Sequence, residues 1–109
     1  MDRNKLRGKF ALVTGASSGI GKEYARVLGA MGYGLVLVSN EEEPIREAGA
    51  ELAAEYGVET HPLCMDLAVT NAAELLYTYC KDRNLEIEVL VNNAGIFKMS
   101  KVVNLPVAV

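Results

Sequence analysis

Residues 34–39 read GLVLVS, an apolar run without polar alternation. A strand with one wet face alternates apolar and polar side chains. A run that does not alternate suits a strand covered on both faces, as in the interior of a parallel sheet. KFALVTG (Lys9 to Gly15) has the same character, and so does the VLV of IEVLVNNAG (Ile87 to Gly95). ETHPLCMD (Glu59 to Asp66) reads as a weaker strand.

Helical stretches separate these runs. Ile20, Tyr24, Val27, Leu28 and Met31 share one face at about 100° per residue, and MGYG ends that helix. Ile45, Ala48, Leu52 and Tyr56 form a second face, opened by the acidic residues and proline of NEEEP and closed by Gly57. TNAAELLYTYCKD reads as a third helix, with Leu75, Leu76, Tyr79 and Cys80 inward and a capping box from Asn71 to Glu74. This alternation predicts a Rossmann-like three-layer α/β fold with a parallel sheet of strand order 3-2-1-4, the first half of a doubly wound fold. Strand four then forms an open edge, and an apolar edge invites a second copy of the chain, so a homo-oligomer is expected.

The 109 residues suit a single partial domain spanning 1–109, with 98–109 a tail of no clear period. Half the residues are hydrophobic and there is no Trp, so the core is aliphatic. A net charge of −3 without a basic cluster argues against nucleic acid. The charged start, MDRNKLRGK, reads as a solvated extension. No run approaches the ~18 apolar residues of a membrane helix, and the start lacks a signal-peptide core. A cytoplasmic location is the expectation. His61 is the only histidine, and Cys64 and Cys80 lie far apart in sequence, so no metal site is expected. Both cysteines read as small buried apolar residues.

The glycines between the first strand and the first helix follow T-G-x-x-x-G-x-G: Thr14, Gly15, Gly19 and Gly21. Glycine at 15 permits a sharp turn, and Gly19 and Gly21 leave room for a ligand and for close helix packing. The N–H groups opening a helix attract phosphate. Downstream, NNAG (Asn92 to Gly95) follows the fourth strand. Its two Asn side chains suggest a polar hook between neighbouring strand ends.

TGASSGIG, MDL and LVNNAG together resemble the cofactor-binding half of the short-chain dehydrogenase/reductase family, over about residues 7–97. The resemblance implies that Gly15, Ser17, Ser18, Gly19, Ile20 and Gly21 line the pyrophosphate and ribose of a dinucleotide. It places Asp66 and Leu67 at the adenine, and Asn92, Ala94 and Gly95 beside the adenosine ribose and the nicotinamide side of the cleft. Ser39 and Asn40 stand at the end of strand two, where an acid favours NAD and an arginine favours NADP. The missing acid tilts the choice slightly to NADP, although Glu41 would oppose a phosphate if it pointed inward.

The family's Ser and Tyr-x-x-x-Lys would follow NNAG, and the sequence given stops 14 residues after Gly95. Tyr77 and Lys81 have the spacing but precede NNAG and read as a solvated pair. Asn104, in VVNLPVAV, is the one candidate for the family's relay Asn. The expected function is therefore an NAD(P)-dependent oxidoreductase transferring hydride between a nicotinamide and a carbonyl or alcohol. It is represented here by its cofactor-binding half, with no turnover expected from this chain alone. A stand-alone dinucleotide-binding module and an inactive self-associating fragment are the alternatives.

Overall fold

A computed structural model describes residues 8–93. Four strands alternate with three helices: β1 (Lys9–Thr14), α1 (Gly19–Met31), β2 (Gly34–Ser39), α2 (Glu42–Tyr56), β3 (Thr60–Cys64), α3 (Ala72–Asp82) and β4 (Glu86–Asn92). The strands are parallel in the order β3-β2-β1-β4, as the sequence predicts. All six residues of β2 are buried, in keeping with its unbroken apolar run.

The pleat of β1 sends successive side chains to opposite faces. Phe10 and Leu12 join Val36, Val38, Leu76 and Leu90 on the α3 side. Ala11 and Val13 join Leu35, Leu37, Ile45 and Leu52 on the side of α1 and α2. Three layers around two aliphatic cores result.

The inward face of α1 departs from the expectation. It buries Gly21, Ala25, Leu28 and Gly29, while Ile20 and Val27 are 68% and 58% exposed. Close approach explains the difference. A Cβ on Gly21 would stand 2.0 Å from the Gly15 carbonyl oxygen, and one on Gly29 would stand 3.2 Å from the Tyr56 ring. Small residues fill the two closest approaches, Leu28 is buried between them with Tyr24 and Met31 packed partly against the core, and Ile20 and Val27 turn outward.

Helix α3 shows a similar shift. It buries Ala72, Ala73, Leu76 and Cys80 and leaves Leu75 exposed. Tyr79 packs only partly against the core. Its hydroxyl meets His61 Nδ1 at 3.0 Å, and the Arg83 guanidinium lies 3.6 Å from its ring centre. The expected capping box is absent, because Asn71 makes no side-chain cap bond. Its φ of −100° and ψ of 18° are not the extended backbone of a capping residue.

Cys80 is buried as expected, and desolvation pushes its thiol up to about 11. Cys64 is exposed, contrary to expectation, because it ends the edge strand β3. Tyr77 and Lys81 are both exposed, in keeping with a solvated pair. Among the described residues no helix is long and apolar enough to cross a membrane, and no group of His, Cys, Asp or Glu side chains could hold a metal.

Candidate functional site

The turn after β1 is built for close approach. Gly15 and Gly19 have φ of +62° and +60°, the left-handed region that favours glycine. Between them Ala16 is buried, and its N–H donates to the Val38 carbonyl at 3.1 Å, fastening the turn to β2. Ser18 opens α1 without a side-chain cap bond, and no acidic residue lies in the first turn. The N–H groups and positive dipole end of α1 are therefore not neutralised by the helix's own first residues.

Gly21 serves packing rather than open space, since its Cα faces the Gly15 carbonyl. The same Cβ would also stand 2.9 Å from Asn93 Nδ2. The expected hook is present. Thr14 Oγ1 donates to Asn92 Oδ1 at 3.1 Å, across the register pair that joins β1 to β4. Asn93 Nδ2 donates to the Gly15 carbonyl at 3.4 Å.

A cleft of about 360 Å³ opens at the C-terminal ends of the strands. Gly15, Ser17 and Ser18 line it from the first turn, and Ser39, Asn40 and Glu41 from the end of β2. Met65, Asp66 and Leu67 follow β3, and Asn93 follows β4. In open parallel sheets this is where ligands bind. A chain of hydroxyls crosses the cleft. Ser39 Oγ donates to Ser17 Oγ at 3.0 Å, and Ser17 Oγ donates to Glu41 Oε1 at 2.8 Å. The Glu41 N–H donates back to Ser39 Oγ at 3.1 Å. Asp66 Oδ1 accepts from the Ala68 N–H at 2.9 Å, which fixes the turn after β3. The Leu67 side chain is buried in the α3-side core.

The cleft thus unites Gly15, Ser17, Ser18, Ser39, Asn40, Asp66 and Leu67 of the expected residues. Gly19 and Ile20 instead line a neighbouring groove of about 510 Å³ with Tyr24 and Val27. Asn92 bonds Thr14, whereas its neighbour Asn93 lines the cleft. Asn93 and Met65 were not among the expected residues. The signal for Asn93 is positional, for it is the first residue past the strand end. Ala94, Gly95 and Asn104 lie outside the described residues. Lys22 is held by Glu51 of α2 at 3.2 Å. Hydrogen bonds from Lys22 and Arg26 hold the Glu51 carboxyl below its ordinary range.

The donor set suits an elongated phosphate-bearing ligand. It offers helix N–H groups and serine hydroxyls at one end, and an apolar-backed pocket with a carboxylate at the other. A family model for short chain dehydrogenases matches residues 9–108. The chain belongs to the short-chain dehydrogenase family. It is 38% identical over 92 residues to the very-long-chain 3-oxoacyl-CoA reductase of Phaeosphaeria nodorum, covering 83% of this chain and 27% of that protein. The reductase of the same name from Eremothecium gossypii is 42% identical over 92 residues, with 83% and 26% covered. The chain therefore spans about a quarter of the length of these relatives.

Solved structures of the family share the fold. L-sorbose reductase from Gluconobacter frateurii, complexed with NADPH and L-sorbose, superposes with a TM-score of 0.76 at 32% identity, over 81% of this chain and 34% of that one. A metagenomic short-chain oxidoreductase in complex with NADP gives 0.76 at 38% identity, over 84% and 41%.

Proposed function

We propose that this short-chain dehydrogenase chain is the dinucleotide-binding half of an NAD(P)-dependent oxidoreductase that transfers hydride between a nicotinamide and a carbonyl or alcohol. The observation that carries the reading is the cleft at the strand ends, where the glycine turn, the Ser17–Ser39 hydroxyls and Asp66 converge. The structural relatives complexed with NADPH and NADP support NADP as the slightly preferred form.

In this reading the pyrophosphate rests on the backbone of Gly15, Ser17, Ser18, Gly19 and Ile20, with Gly21 allowing α1 to sit close behind. Ser39 and Asn40 face the adenosine ribose, and Asp66 and Leu67 the adenine. Asn92, Ala94 and Gly95 border the nicotinamide side. A bound nicotinamide would supply or accept the hydride, and residues 1–109 act as one binding unit. Reduction of a 3-oxoacyl-CoA, the activity named for the relatives above, is the carbonyl chemistry to test first. The free thiols of Cys64 and Cys80 support a reducing, cytoplasmic setting.

A second reading, a self-associating module without turnover, draws on β4. Among the described residues it pairs only with β1, so its outer edge is open to a second copy.

Titration with NADPH and NADH tests the first reading. Saturable fluorescence enhancement is expected, together with about 2.7 kcal/mol of added stability at a hundredfold excess over Kd. Unchanged fluorescence and melting at millimolar cofactor would falsify it. A carbonyl panel should show no turnover by this chain alone, and light scattering after gel filtration should show an oligomer.

A further inference from the structure

Away from the cleft, three side chains form a hydrogen-bonded line between the edge strand β3 and α3. Glu59, just before β3, meets His61 Nε2 at 2.5 Å, and His61 Nδ1 meets the Tyr79 hydroxyl at 3.0 Å. An ionised carboxylate only accepts, so in the neutral imidazole Nε2 carries the hydrogen and donates it to Glu59. Nδ1 then presents its lone pair, and Tyr79 Oη donates to it. The Phe10 and Tyr79 rings stand edge-on to the imidazole at 5.7 and 5.8 Å and hold it between them. The Arg83 guanidinium lies 3.6 Å from the Tyr79 ring centre, a cation beside the phenol. These are the parts of an activated nucleophile: a hydroxyl, a base within reach of its proton, and a carboxylate that orients the base.

We propose that Tyr79 is a nucleophilic modification site, with His61 as its general base and Glu59 as the residue that positions that base. The site takes an acyl group carried on a good leaving group. Tyr79 Oη bonds to the acyl carbon while its proton passes to His61 Nδ1. The bond from the acyl carbon to the leaving group then breaks, and His61 returns the proton to that group, leaving a tyrosyl ester. Arg83 favours the negative charge that develops on the phenol. Tyr33 makes the contrast. Its hydroxyl donates straight to the Glu88 carboxylate at 3.1 Å, and burial together with that bond pushes its phenol above the ordinary range. An anion beside a phenol opposes loss of the proton, whereas a neutral imidazole accepts it.

The test is acetylation of the full chain with N-acetylimidazole, read tyrosine by tyrosine by peptide mass spectrometry. The chain has five tyrosines, so every digest carries its own controls. Tyr77 lies on the same helix and is 40% exposed, whereas Tyr79 is half-buried. Exposure alone favours Tyr77, but Tyr79 should react at least about tenfold faster. That ratio is read in the unsubstituted chain and needs no variant. His61→Gln should bring Tyr79 down to the rate of Tyr77 or below, with Tyr24 and Tyr77 unchanged within about twofold. Glu59→Ala frees the ring to change tautomer and should slow Tyr79 about threefold. Glu59→Gln, whose amide oxygen still accepts from Nε2, should recover most of that loss. Far-UV circular dichroism confirms that each variant is folded. A Tyr79 rate no greater than that of Tyr77 overturns the site. An advantage that survives His61→Gln overturns it too, because exposure or Arg83 then sets the rate. Equal losses in Glu59→Ala and Glu59→Gln overturn the positioning role of Glu59.

Discussion

Two openings flank the first turn of α1, and they are built on opposite terms. The cleft at the strand ends is polar and internally bonded: Ser39, Ser17 and Glu41 form one chain, and Asn93 holds Gly15. The groove beside it is lined by Ile20, Tyr24 and Val27, with Ile20 and Val27 more than half exposed. In the first, hydrogen bonds set side-chain positions before any ligand arrives. In the second, apolar side chains stand in water, as a surface awaiting cover does. The two sides of one helix turn thus differ in kind, one polar and internally bonded and the other apolar and exposed.

Gly21 lies behind both openings, and its substitution should have the largest effect. Gly21→Ala drives a methyl into the Gly15 carbonyl and the Asn93 amide. A loss of about 3 kcal/mol is expected, lowering Tm by more than about 10 °C by calorimetry. Cofactor affinity should fall with it. A variant with wild-type melting would show that α1 can back away freely, and the contrast between rigid cleft and open groove would fail.

Val27→Asn touches the groove alone. Stability should stay within about 0.5 kcal/mol by urea denaturation, and cofactor affinity within about twofold. Self-association should weaken if the groove is part of the contact. A clear drop in cofactor affinity would instead merge the two openings into one site.

The smallest effect concerns the third side of α1, which faces α2. Glu51 there has its carboxyl held below the ordinary carboxylate range, first by the Lys22 hydrogen bond and then by Arg26. The stabilisation it brings is complete above its unfolded value and is lost as pH falls through the lower folded value. Melting temperatures measured from neutral pH downward should therefore fall less steeply below about pH 5 in Glu51→Gln than in the wild type.

Much of the fold is legible in local pattern. Residues 34–39 form β2 with the bounds their apolar run implies, and the spacing of helices and strands yields the sheet order. The face of α1 was legible only in part: Leu28, Tyr24 and Met31 meet the core as their spacing implies, but hydrophobic periodicity ranks Ile20 and Val27 above Gly21 and Ala25. Close backbone approach reverses that ranking, and no local signal records how near the β1–α1 turn comes. The α3 capping box failed for a similar reason, since its residue types are right but Asn71 adopts the wrong backbone.

In the cleft, the positions of Gly15, Ser17, Ser39 and Asp66 follow from the motif and the strand ends. The direction of Glu41 does not follow from them. It depends on a bond to Ser17, 24 residues earlier in the chain.

The bond from Asn93 to the Gly15 carbonyl has a consequence in time. It joins groups separated by 78 residues, and the Thr14–Asn92 bond beside it spans the same distance. Contacts so remote in sequence form only after a large loop has closed. During synthesis the glycine turn leaves the ribosome early, but its tether arrives with β4. Until then a nascent chain carries the motif without its finished shape. A ligand that needs that shape can bind only once the fourth strand is in place, so it rewards completed folding and cannot direct its first steps.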